Sequence, residues 1–341
     1  MNLHMKSTAL IVGVVLCLAF LTVSVIAATT LQITLLTNKQ SYWLGDMVQI
    51  YGYLDANGSR VYDGMINLEM DTPTSSDGGS YPTLFRTLPT GTAPTAQQAI
   101  QITTLFCSND QGLPKSNIKR GTGGHFNVTL LNNNDTAITG YTLTLSAFDS
   151  LKGIVDSGYV SNSNLLPHGK ITYNIPFYVP SGAPLGTARI YANVFTKLPR
   201  QGGYLIAYEK NNTFSITDTA LAAEQITAKQ SPTSQNVLAG ANGQWLANFS
   251  IPRYRYVGNY SIYTSARYAK TTTTAQKTIE VRVPDVNKDG KINVLDLIKV
   301  ASKLGWVGTP GSIPEDVDRN GRVNVLDLIK VGQYIGWQQP P

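Results

Sequence analysis

Near its carboxy terminus the chain repeats one twelve-residue pattern of oxygen-bearing side chains. The first copy runs from Asp285 to Asp296 and the second from Asp316 to Asp327, 31 residues later; both continue into the string Val-Leu-Asp-Leu-Ile-Lys-Val. Asp285, Asn287 and Asp289 stand at positions 1, 3 and 5 of the first loop, and Asp316, Asp318 and Asn320 at those of the second. Alternate oxygen donors on a curling backbone suit a hard cation that collects six to eight oxygens at about 2.3–2.6 Å. Position 6 needs a sharp turn without a Cβ, and Gly290 and Gly321 occupy it. Position 7 donates a backbone carbonyl, so its side chain is free to vary, as Lys291 and Arg322. Asp296 and Asp327 close each shell at position 12. Three carboxylates and one Asn per loop suit one calcium ion each, two in all. Either loop alone reads equally as an Asn/Asp-rich turn; two in register argue against that. The charge order of the second loop is less regular, so it is expected to bind more weakly.

The elements that must position these loops are short. Ile292 and Val323, at position 8, are expected to look inward, where the two loops can pair as a β-bridge. An amphipathic helix is expected after each loop. Leu297, Val300 and Leu304 share one face by their spacing, as do Leu328, Val331 and Ile335. Trp306 and Trp337 are expected to end the two helices. No helical pattern precedes either loop: Val281 to Pro284 reads as a strand end and Pro310 to Pro314 as a linker.

Asp at position 12, Asn after the position-8 aliphatic and the missing leading helix separate this pair from an ordinary EF-hand. Residues 284–338 resemble the dockerin family. The resemblance implies an EF-hand-like, all-α calcium module that docks to a cohesin-like or other β-sandwich domain. Partner choice in that family commonly rests on loop positions 10 and 11, often Ser-Thr; here they are Val294-Leu295 and Val325-Leu326. Three readings of these apolar pairs stand open. They form a hydrophobic docking face, they fill the space between the two helices, or they pack on this chain's own β region as an intramolecular brace.

Residues 29–283 show short apolar alternations broken by Gly, Pro, Asn and Asp, the mark of an all-β region. Val48 to Tyr53, His125 to Leu131, Gly140 to Ala147, Lys170 to Val179, Leu185 to Phe195 and Asn259 to Tyr263 are expected strands. The pattern resembles Ig-like and adhesion-type β-sandwich domains. The expected class is therefore mainly β: two or three Ig-like β-sandwich domains, then the small α module. The expected divisions are 1–28, a leader or anchor; 29–95, an Ig-like domain that residues 242–283 could complete; 96–218, an adhesion-type sandwich; 219–283, linker and closing strands or a third small domain; and 284–341, the loop pair. Thr72 to Pro94 and Ala222 to Gly243 read as linkers or long loops.

Residues 8–28 carry no charge and follow Lys6. Their length spans a bilayer core of about 30 Å, and they end in small residues that fit a cleavage site. As a cleaved signal peptide or a retained hydrophobic helix, the segment implies a secreted or cell-surface chain. Membrane contact is expected only there. Outside it Cys107 is the one cysteine, so no intrachain disulfide can form. Six Asn-x-Ser/Thr sequons, at Asn57, Asn127, Asn134, Asn211, Asn248 and Asn259, agree with export.

The net charge of +6 lies upstream of the loops, because residues 284–341 hold seven basic and seven acidic side chains. Basic residues form no stripe, which argues against nucleic acid. His4, His125 and His168 are isolated, and neither a zinc-binding His pattern nor a Gly-x-Ser-x-Gly elbow occurs. With five Glu, two facing carboxylates for glycoside hydrolysis are not legible. The leading expectation is a non-catalytic exported protein that docks through calcium. A carbohydrate-active protein that binds or cleaves glycans is the second, and the intramolecular calcium brace the third.

Overall fold

The computed structural model describes residues 29–73, 81–92, 98–162, 164–218 and 243–340. The expectations for the leader, residues 1–28, and for most of 222–243 fall outside these residues. The described chain is mainly β, with seventeen strands and two short α-helices.

Four sheets make two layered units. In the first unit, one sheet has the order β1 (Leu31–Thr37), β3 (Met47–Ala56) and β15 (Gln244–Ser250), with the short β4 (Ser59–Arg60) on β3. The facing sheet has the order β2 (Ser41–Trp43), β17 (Thr271–Arg282), β16 (Gly258–Tyr268), β5 (Met65–Asp71) and β6 (Pro82–Pro89). Val48, Ile50 and Leu54 alternate inward along β3, as the period of two requires. They meet Ile66, Leu68, Met70 and Ile262 from the other sheet in one core. Gly52 keeps the same buried register without a side chain, because a Cβ there would stand 1.8 Å from the Thr34 carbonyl oxygen and 3.0 Å from the Trp245 ring. That close approach lets Trp245 lie fully buried.

Strands from both ends of the β region thus share sheets. β15 pairs with β3, and β16 pairs with β5. The intervening stretch forms the second unit. One sheet is β12 (Lys170–Val179), β9 (Thr122–Asn132) and β7 (Ile100–Ser108). The other is β11 (Ile154–Asn162), β10 (Tyr141–Phe148), β13 (Gly186–Phe195), β14 (Leu205–Thr217) and β8 (Asn117–Lys119). Their shared core is centred on Phe126 stacked on Phe177 at 3.9 Å. The expectation of a loose stretch at 72–94 is corrected in part: β6 occupies its second half, with Leu84, Phe85 and Leu88 fully buried.

The two units meet along a polar seam. β10 reads as a half-exposed strand, Tyr-Thr-Leu-Thr-Leu-Ser-Ala-Phe, yet all eight residues are buried. Its Ser146 hydroxyl accepts the Phe85 N–H at 2.7 Å. Arg86 on β6 makes a bidentate pair with Glu209 on β14 at 3.0 Å, and Thr87 N–H donates to the same carboxylate. On β5, Glu69 and Asp71 both meet Arg200, which sits in a one-turn 3₁₀ helix, Pro199–Gln201, of the second unit.

The two helices, α1 (Val294–Ala301) and α2 (Val325–Gly332), are eight residues each. They are shorter than the sequence pattern implied, so Leu304 and Ile335 fall beyond the helix ends and are exposed. Val300 and Val331 are buried, and Leu297 and Leu328 half-buried. An EF-hand fold, with a helix on each side of its loop, is not what surrounds these loops. Among the described residues no helix is long and apolar enough to cross a membrane.

Candidate metal centre

The repeated loops fold by the same local rules. In the first, Gly290 N–H donates to Asp285 Oδ2 at 2.9 Å, Asp289 N–H to Asn287 Oδ1 at 2.9 Å and Lys291 N–H to Asp289 Oδ1 at 2.9 Å. In the second, Gly321 N–H donates to Asp316 Oδ2 at 2.9 Å, Asn320 N–H to Asp318 Oδ1 at 3.0 Å and Arg322 N–H to Asn320 Oδ1 at 2.8 Å. Each short polar side chain thus bonds a backbone N–H a few residues on, which wraps the chain into a ring. Two left-handed residues per loop complete the curl: Lys288 and Gly290 at φ +61° and +80°, Arg319 and Gly321 at +59° and +84°.

Position 12 serves two structures at once. Asp296 Oδ1 accepts the N–H groups of Val286 and Asn287 at 2.9 and 3.1 Å, and its Oδ2 accepts that of Asn293 at 2.9 Å. The second contact is half of a capping box: Asn293 caps α1, and Asn324 with Asp327 repeats the arrangement at α2. One carboxylate therefore closes the loop and starts the helix.

Oxygen atoms of Asp316, Asp318 and Asp327 lie within 4.8 Å of one another. Among the described residues this is the one trio of acidic, His or Cys side chains gathered so closely. Asp316 and Asp327 are buried and Asp318 is half-buried. Burial, and then the Asp327 and Asp316 carboxylates, push the Asp318 carboxyl above its usual range. An all-oxygen cluster with crowded negative charge fits a hard divalent cation. In the first loop Asn287 takes the place of Asp318, so two carboxylates, Asp285 and Asp296, flank an amide. Asp289 and Asn320 are exposed at position 5, and Lys291 and Arg322 carry exposed side chains at position 7. The closer carboxylate cluster is in the second loop.

The position-8 residues do point inward; Ile292 and Val323 are each 1% exposed. The loops do not, however, pair with one another. Val323 N–H donates to the Trp306 carbonyl and the Val323 carbonyl accepts the Gly305 N–H, while Ile292 N–H donates to the Trp337 carbonyl and the Ile292 carbonyl accepts the Gly336 N–H. Each loop is stitched to the segment that follows the other copy's helix. Trp306 and Trp337 are thus part of this exchange, five residues beyond the helix ends.

The apolar pairs at positions 10 and 11 face solvent. Val294, Leu295, Val325 and Leu326 are 60%, 53%, 60% and 56% exposed. That rules out both core filling between the helices and packing on the β strands by these four side chains. Ile298 and Ile329, one turn on, are exposed with them. Two equivalent aliphatic triads result, one per helix.

Contact with the β region is made by Tyr334, which the sequence did not single out, and by Trp337, which it placed only as a helix end. Tyr334 O–H donates to the Leu44 carbonyl at 2.8 Å, and Trp337 Nε1–H donates to the Arg253 carbonyl at 2.9 Å. Arg253 returns a bond to the Gln333 carbonyl at 2.8 Å and lies 4.3 Å from the Tyr334 ring centre. Trp43 receives Arg282 on its ring at 4.1 Å and Lys330 at 4.5 Å. Val286, Ile292, Val317, Val323 and Trp337 consequently share one buried cluster with Tyr42, Leu44 and Ile251. The one sequence signal was a break in the repeat: Tyr334 stands where the first copy has Lys303.

Elsewhere, a cleft of about 310 Å³ lies between the β units, lined by Asp63, Asn67, Gln98, Tyr204, Tyr208 and Arg267 among others. The Arg267 guanidinium sits 4.2 Å from the Tyr204 ring centre. His168 pairs with exposed Asp135, far in sequence from any carboxylate cluster.

No family model and no curated protein matches the chain. Solved structures give distant likenesses. A β-glucosidase from Listeria innocua matches 37% of this chain and 17% of its own length at 10% identity, with a TM-score of 0.25. Red sea bream transglutaminase matches 55% and 31% at 10% identity and TM-score 0.25. The alkylpurine DNA glycosylase AlkC of Pseudomonas fluorescens matches 36% and 31% at 9% identity and TM-score 0.25. The chain spans a third or less of the length of each.

Proposed function

We propose that this chain is a non-catalytic, exported surface protein whose carboxy-terminal loops bind two calcium ions and present a dockerin-like docking face. The carrying observation is the pair of exposed aliphatic triads, Val294, Leu295 and Ile298 with Val325, Leu326 and Ile329, at equivalent positions beside both loops. Side chains of this size placed in water, twice over, are suited to a partner's apolar surface. Calcium acts upstream of them. Asp296 and Asp327 join each loop to the first turn of its helix, so filling the shell fixes the helix that carries the triad. The partner expected is a cohesin-like or other β-sandwich domain, and the expected location is the cell surface or extracellular space.

The test is a surface-resonance measurement of the full chain against a panel of cohesin-type β-sandwich domains, in calcium and in chelator. Binding should require calcium and should be lost in the double variant Leu295→Asp, Leu326→Asp. Equal binding in chelator, or an unaffected double variant, refutes the reading.

The cleft at the unit junction favours glycan binding as a second reading. Tyr204, Tyr208, Asn67 and Arg267 offer an aromatic face and hydrogen-bonding groups, whereas Asp63 is the one carboxylate among its lining residues. A hydrolase of the usual kind needs two, so the cleft fits binding better than cleavage. A glycan array that is blank for the chain, or unchanged by Tyr204→Ala, removes this reading.

A further inference from the structure

The repeat is symmetric in sequence and asymmetric in its surroundings. Arg319, at position 4 of the second loop, makes a bidentate pair with Glu280 of β17 at 2.8 and 2.9 Å. Arg282, two residues on, reaches the Val317 carbonyl at 3.4 Å, between the ligand positions Asp316 and Asp318. Asp316 takes a third backbone N–H from Gly311 at 2.7 Å, beside those of Asn320 and Gly321. The glycine turns themselves are held alike, the Gly321 carbonyl by the Gly308 N–H and the Gly290 carbonyl by the Gln339 N–H, each at 2.9 Å. In the first loop the equivalent of Arg319 is Lys288, exposed and without a partner among the described residues. Asp285 accepts two backbone N–H groups, from Asp289 and Gly290. The same break recurs along the helices: Lys330 lies over Trp43 and Tyr334 bonds Leu44, whereas Lys299 and Lys303 are exposed.

A loop already held in its binding shape spends less of its metal-binding free energy on ordering itself. Resting on the two-calcium reading above, we infer that the second loop is a preorganised site that fills first, with Glu280 and Arg282 of the β region acting as its positioning residues. The first loop lacks these supports and orders only as it fills. Local geometry agrees, because the second loop holds the gathered carboxylates while the first puts an amide in their midst. The β region and the docking module are then one calcium-responsive body, in which the triad on α2 is set at lower calcium than the triad on α1.

Calcium titration calorimetry of the full chain tests this. Two binding events are expected, the tighter absent in Asp327→Ala and the weaker absent in Asp296→Ala. Glu280→Gln should loosen the tighter event about three- to fivefold, the span of a half-exposed bidentate ion pair, and leave the weaker one alone. Hydrogen exchange by mass spectrometry supplies the same order without mutation: peptides that include Gly321 should gain protection at lower calcium than those that include Gly290. Loss of the tighter event in Asp296→Ala, earlier protection at Gly290, or unchanged constants in Glu280→Gln would overturn the inference. No calcium heat at all from the unaltered chain would instead sink the calcium reading on which it rests.

Discussion

Substituting Glu69 by Gln should make the chain more stable at pH 8 and erase part of its pH dependence. Glu69 lies on β5 with no exposed surface, at the seam between the β units. Burial, and then the neighbouring Asp71 carboxylate, raise its pKa from 4.5 to about 7, against the opposing pull of the Arg200 N–H and guanidinium. One oxygen accepts the Arg200 N–H at 2.8 Å, while Oε1 and the Asp71 Oδ1 have no hydrogen-bond partner. The native chain therefore keeps a proton that the unfolded chain gives up between about pH 4.5 and 7. Stability from this group is fully present below that window and is lost as pH rises through it. A shift from 4.5 to about 7, at about 1.36 kcal/mol per unit, amounts to about 3 kcal/mol. Asp71 is shifted in the same direction, chiefly by burial, and adds to the slope. Gln keeps an oxygen for the Arg200 N–H and gains an N–H that can reach Asp71, without the buried charge. Urea unfolding at pH 5 and pH 8, in millimolar calcium so that the loops stay constant, reads the effect. Unaltered protein should lose about 3 kcal/mol or more between the two, and Glu69→Gln clearly less. Parallel pH profiles, or a variant less stable than the parent at pH 8, would refute the reasoning.

Two further outcomes follow from named contacts. Glu209→Ala leaves Arg86, whose side chain is 12% exposed, without its carboxylate at the same seam, and should cost about 3–5 kcal/mol by urea unfolding. Tyr334→Phe deletes the hydroxyl that bonds the Leu44 carbonyl in a buried position; it should cost about 1–3 kcal/mol and raise hydrogen exchange in residues 316–334.

The geometry of the two candidate loops was written in the chain itself. Its ligand spacing, position-6 glycines and helix caps act over a few residues, so Asp285, Asn287, Asp289 and Asp296 fold as their order implies, and their counterparts likewise. Most strands were legible for the same reason, since alternation is local; Val48 to Tyr53 and Lys170 to Val179 fall within β3 and β12. What local pattern cannot carry is which surface meets which. Thr142, Thr144 and Ser146 look like the wet face of β10, and became buried because a second sheet covers them. Val294 and Leu295 look like core and remain in water, because Tyr334 and Trp337, not they, turn toward the β region. The exchange of partners at Ile292 and Val323, and the clamp of Glu280 on Arg319, join residues tens of positions apart. Sequence spacing thus decided how each loop curls and how its helix is capped. Long-range packing decided which loop is braced and which faces stay open, because burial depends on neighbours that no local pattern names.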